Sequence, residues 1–123
     1  MKTCEILINN NSIGNNIKIA DNFFTRFKGL MFKKELNVNE GLIINPCNSI
    51  HMFFMNFPLD ILFVNENNEV VEILENIKPW RVSKLYFNAE YVVELPINTV
   101  KSKNIQKNQK IFIKTLDKWY VMI

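Results

Sequence analysis

The hydrophobic positions fall into short runs that read as strands, with one helical period among them. Cys4 to Ile8 is a strand candidate, Asn9 to Asn16 the turn behind it, and Ile17 to Ala20 its hairpin partner. Phe23, Phe27, Leu30 and Met31 recur with helical spacing, which predicts a helix over about 22–32, capped by Asp21 or Asn22 and widened by Phe24. Gly29 inside that helix costs ~1 kcal/mol against Ala, which implies close packing there. Gly41 to Ile44 is a strand halted by Asn45-Pro46. Ile50 to Met55 and Asp60 to Val64 are apolar on both faces, as central strands covered on both sides are, with a turn at Asn56 to Leu59 between them. A further turn at Asn65 to Asn68 leads into Glu69 to Leu74. Ala89 to Leu95 alternates, putting Tyr91, Val93 and Leu95 inward and Glu90 and Glu94 outward. Ile111 to Leu116 and Trp119 to Ile123 form a closing hairpin around Asp117-Lys118. About eight short strands and one helix, with no βαβ alternation, predict a mainly β (α+β) fold. Its form would be a small antiparallel barrel-like or rolled sheet with the helix packed on it.

Composition narrows the class. At 123 residues the chain fits a single domain, and with 48% hydrophobic residues it can fold without disulfides or a structural metal. Thirteen lysines against two arginines argue against dedicated phosphate recognition. The densest basic run, Lys101, Lys103, Lys107, Lys110 and Lys114, has no interleaved arginine and reads as a solvated face, so nucleic acid is not expected as a partner. No apolar run follows Met1, and no window approaches the ~20 apolar residues of a membrane span, so no membrane association is expected. Two cysteines without a secretory leader read as free thiols in a reducing compartment, which places the chain in the cytoplasm.

Chemistry concentrates in Asn45 to Asp60. This stretch holds the only histidine, one of two cysteines, two of four prolines and one of three aspartates, set among Ile, Met and Phe. Polar groups in such surroundings carry a desolvation cost that partners or function must offset. His51 would share a strand face with Phe53 and Met55, as a general base, as a ligand contact, or as a satisfied core histidine. Cys47, His51 and Asp60 could serve as nucleophile, base and orienting acid. If extended, however, positions 47 and 51 lie ~13 Å apart, so Pro46 and Asn48-Ser49 must turn the chain for the pair to meet. One histidine with one nearby cysteine falls short of a zinc ligand set, so neither a metal nor another cofactor is expected. Asp60 needs a partner, and Arg26 or Arg81 could supply it, leaving the other free for an anionic group such as a carboxylate. Trp80, after Pro79, suits a loop anchor or a pocket wall.

These residues resemble a family. Arg26-Phe27-Lys28-Gly29-Leu30-Met31, Gly41 to Ile44, Pro46 to Met55, Phe57 to Val64 and Glu94-Leu95-Pro96 are similar, in order, to the DUF192 (UPF0127) family. The resemblance implies a compact, mainly β domain whose biochemical function is unassigned. Its characteristic residues fall on Arg26, Gly29, Leu30, Met31, His51, Met55, Pro58, Asp60 and Glu94. Asn98 and Asn108-Gln109 stand where members carry glycine-containing turns, and asparagine can take the same left-handed backbone. Phe54 stands where some members have Trp.

The leading expectation is a binding module for a small molecule or peptide. Its pocket would surround His51 and Asp60, with Arg26, Asn48, Ser49, Met55, Trp80 and Arg81 as further ligand contacts. One alternative is a Cys47/His51/Asp60 enzyme for acyl or related group transfer; another is a purely structural or interaction domain. The oligomeric state stays open.

Overall fold

A computed structural model of the chain describes residues 2–115. The expected last strand, Trp119 to Ile123, and the turn at Asp117-Lys118 lie outside the described residues. The described residues form seven strands and two short helices, a mostly β fold with its sheet curled into a half-barrel. In chain order these are β1 (Lys2–Ile8), β2 (Asn11–Ala20), α1 (Phe23–Lys28), β3 (Glu40–Ile44), β4 (Leu59–Val64), β5 (Val70–Ile77), β6 (Tyr91–Pro96), α2 (Thr99–Ser102) and β7 (Ile111–Thr115). The spatial order is β5-β4-β6-β3-β2-β1-β7. Every pairing is antiparallel except β2 with β3, where the crossover through α1 makes a parallel pair that the sequence pattern did not suggest.

Asparagine supplies most of the turns. Asn9 and Asn10 both have positive φ and close β1 onto β2 in a two-residue loop, so β2 begins at Asn11 rather than after the longer turn expected through Asn16. Gly14 therefore lies inside β2, beside an irregularity in the register with Ile6 and Leu7. Asn39, Asn68, Asn76, Asn98, Asn104 and Asn108 are also left-handed. With only three glycines in the chain, asparagine takes the positions that would strain other side chains. Gly41 is needed for a different reason: a Cβ there would stand 2.7 Å from the Glu94 carbonyl oxygen.

Strands β3, β4 and β6 are buried on both faces. One face of β4 turns Leu62 and Val64 into a core layer with Ile6, Ile17, Ile43, Val93, Leu95 and Ile111, inside the curl. The other face turns Leu59, Ile61 and Phe63 into a second layer with Leu42, Ile44 and Val92. Leu30, Ile50, Met52 and Met55 cover that second layer. The covering segment corrects two expectations. Ile50 to Met55 is not a strand of the sheet; it meets residues 80–83 through a single bridge, His51 with Val82, and a few main-chain bonds. It then turns at Phe54, whose φ is 61°. The helix predicted over 22–32 ends at Lys28, because Gly29 takes φ 49° and caps it. Phe23, Phe24 and Phe27 consequently face outward, and only Leu30, carried in by the following turn, is buried from the predicted apolar face.

Candidate functional site

α1 starts in a capping box. Asn22 Oδ1 accepts from Thr25 N at 2.9 Å and Thr25 Oγ1 accepts from Asn22 N at 3.4 Å. One residue further on, Arg26 Nη1 donates to the Pro46 carbonyl at 3.2 Å, tying the helix to the segment behind β3. That segment passes a cis Asn45–Pro46 bond and is anchored by Cys47 N donating to Glu90 O at 2.9 Å. Cys47 Sγ–H donates to Ser49 O at 2.9 Å, closing the turn that brings positions 47 and 51 to one site.

The product is a hollow of about 50 Å³ between α1, the 47–55 segment and β6. Arg26, Cys47, Ser49, His51, Met55 and Glu94 all line it. One water needs only about 10–15 Å³ of such space, so the hollow has room for a group of a few heavy atoms.

One of its buried polar atoms lacks a protein partner. The Nε–H of Arg26 is buried and has no acceptor among the described residues. Glu94 lines the same space and is 5% exposed. Its carboxyl belongs to the face of β6 that carries Val92, opposite Leu42 and Ile61. Burial pushes it up to about 8, so it is mainly the neutral acid at pH 7. Burial likewise pushes the Cys47 thiol above its ordinary value, with Glu94 adding to the rise and Arg26 opposing it more weakly.

From Phe27 and His51, which line the hollow, a chain of exposed aromatic rings runs outward as a rim. The His51 ring lies 6.3 Å from Phe27 and 5.1 Å from Phe53. Phe53 meets Trp80 at 5.9 Å, Trp80 meets Phe54 at 5.0 Å, and Phe54 meets Phe32 at 5.3 Å. Phe32, Phe54 and Trp80 hold positive φ, an uncommon conformation for bulky side chains.

Among the predicted site residues, the hollow brings together Arg26, Cys47, Ser49, His51 and Met55. It does not include Asp60, for a geometric reason. Asp60 shares the Leu62/Val64 face of β4, whereas the hollow opens on the Ile61/Phe63 face. Its partners are not arginines but main-chain donors, Asn76 N at 2.9 Å and Val100 N at 3.1 Å. A Cys47–His51–Asp60 triad is therefore not assembled, and His51 Nδ1 accepts from Phe53 N at 3.3 Å rather than meeting the thiol. Asn48 faces a separate shallow cleft beside Pro46 and Glu90. Arg81 is exposed and contributes its carbonyl, which accepts from Met52 N at 2.7 Å. Trp80 belongs to the rim. Glu94, read from alternation as outward, is the acid the hollow actually contains. Its apolar neighbours Val92, Val93 and Leu95 were the signal that both faces of this strand are covered. No cluster of three or more metal-ligating side chains occurs among the described residues, and none of the described helices is long and apolar enough to cross a membrane.

A curled, mainly β sheet with a small lined hollow on its outer face defines the class. Residues 6–113 match the DUF192 family, "Uncharacterized ACR, COG1430", and the chain belongs to that family. It is 39% identical over 101 residues to a UPF0127 protein of Thermococcus sibiricus, covering 77% of this chain but 64% of that relative. Against the UPF0127 protein PH1112 of Pyrococcus horikoshii it is 34% identical over 109 residues, covering 85% and 87% of the two chains. A Novosphingobium aromaticivorans protein of unknown function shares the fold, with a TM-score of 0.77 and 23% identity over 89% of this chain and 82% of that one.

Proposed function

We propose that this chain is a binding module whose recognition element is the hollow between α1, residues 47–55 and β6, which takes the end of a small molecule or peptide. The observation that supports this is a buried polar group without a protein partner, Arg26 Nε, on a space that the buried Glu94 also lines. Buried polar groups are nearly always satisfied, and a ligand is one of the few things that accounts for an exception. The rim adds contact area, since exposed aromatic clusters of this kind commonly mark binding surfaces. Catalysis by Cys47 fits less well: its thiol donates to Ser49 O and burial keeps it protonated, whereas a nucleophile needs the thiolate.

Thermal-shift and native mass-spectrometry screening of small molecules and short peptides tests the reading. Ligands should stabilise the native protein and lose that effect in Ser49→Leu, which fills the hollow. Binding that survives the filled hollow, or a library without a single ligand, would refute it.

A further inference from the structure

We infer that the group accepted by the hollow is a carboxylate, held between Arg26 and the Glu94 acid, on a molecule whose apolar or aromatic body lies over Phe27, Phe53 and Trp80. This rests on the reading of the hollow as a binding site and names what it binds.

The argument starts from charge. The ionisable groups lining the space are Arg26 and Lys28 from α1, Cys47 and His51 from the segment after β3, and Glu94 from β6. The flanking strands turn Leu42 and Ile44 from β3 and Ile61 and Phe63 from β4 to this face; Glu40, on the same face of β3, does not line the space, and its carboxylate accepts from Asn37 N at 2.8 Å. Since Glu94 is mainly uncharged at neutral pH, the fixed charge around the hollow is positive. An ammonium group would meet Arg26 and Lys28 as like charges. A carboxylate meets an Nε–H donor on one side and a carboxylic O–H donor on the other, which matches its two oxygens. A volume of about 50 Å³ suits a two-oxygen group better than a bulkier phosphate.

The rest of the molecule must leave through the mouth, and the rim decides what it is. Phe27 is 62% exposed, Phe53 42% and Trp80 59%, joined through the ring of His51. Rings presented this way favour an aromatic or aliphatic body. Trp80 is held there in a left-handed conformation, and such strain is found where a ligand is clamped. Two sources share this chemistry, a free aryl or alkyl acid and the C-terminus of a polypeptide ending in an apolar residue.

Isothermal titration of the native protein with 3-phenylpropionate and its amide, and with a phenylalanine-terminated hexapeptide in free-acid and amidated forms, tests the inference. The acid of at least one pair should bind about 10- to 100-fold more tightly than its amide. Whichever pair shows the difference identifies the source. Affinity for the acid should fall as pH rises through about 8, where Glu94 ionises, and stay level from pH 7 to 9 in Glu94→Gln. Amides binding as tightly as acids, yet lost in Ser49→Leu, would overturn the carboxylate while leaving the hollow as a binding site. If neither acid nor amide binds, the inference falls. A pH dependence unchanged in Glu94→Gln would remove Glu94 from it.

Discussion

Replacing Asp60 separates a structural acid from a binding one. Its register position opposes two residues of β5: Leu59 pairs with Ile77 and Ile61 with Leu74, so Glu75 and Asn76 bulge opposite Asp60. Asn76, left-handed at φ 53°, has its N–H bonded to Oδ1 instead of to a strand partner. Oδ2 accepts from Val100 N inside the first turn of α2, whose N-cap residue, Asn98, makes no side-chain cap. Asp60 thus fixes a bulge and starts a helix from the 1%-exposed interior. In Asp60→Ala the buried Val100 N–H loses its acceptor, at about 1–3 kcal/mol, while the Asn76 N–H can recover part of its loss from water. The expected destabilisation is about 2–4 kcal/mol, and Asp60→Asn, which keeps one acceptor oxygen, should lose roughly half as much. That is a large share of the 5–15 kcal/mol typical of a domain. Urea unfolding followed by circular dichroism measures it. An Asp60→Ala protein within about 0.5 kcal/mol of the parent, a change typical of surface sites, would refute this assignment, above all if ligand binding were lost with it.

Three more predictions follow from the same geometry. The Glu94 carboxyl titrates near 4.5 when unfolded and near 8 when folded. Between those values the unfolded chain binds fewer protons, so stability should fall by up to a few kcal/mol as pH rises from about 5 to 8, then level off. Glu94→Gln should flatten that slope in pH-dependent denaturant curves. Gly41→Ala should destabilise by about 1–3 kcal/mol in the same assay, because the Glu94 carbonyl 2.7 Å from the new methyl is fixed in the ladder with β3. Phe54→Gly relieves a left-handed phenylalanine that is half exposed. Its stability by thermal melt should hold or rise by up to about 1 kcal/mol, while affinity for an aromatic acid drops.

Much of this was legible in the chain. The double-sided apolar run from Ile61 to Val64 announced a central strand, and Ile6, Ile8, Ile17 and Ile19 announced the β1–β2 hairpin. The covering segment was not legible. Ile50, Met52 and Met55 pack inward with a spacing that belongs to neither strand nor helix, because the chain there follows its bonds to residues 80–83. The site was half legible for a related reason. Arg26 and His51 were visible as rare residue types, but Glu94 and Asp60 exchanged roles. Period-two alternation tells which residues share a face, not which faces are covered. On β6 both faces are covered and the acid sits in a core layer; on β4 the acid points to the layer away from the hollow.

The central claim is that a ligand group enters between Arg26 and Glu94, and methionine methyl resonances report on it directly. Met31 and Met55 line the hollow, whereas Met52 lies in the neighbouring core without lining it. In a carbon-13 NMR titration with 3-phenylpropionate, the Met31 and Met55 methyl signals should shift saturably while that of Met52 stays in place. Signals that never move, or that move together with Met52, would contradict the account.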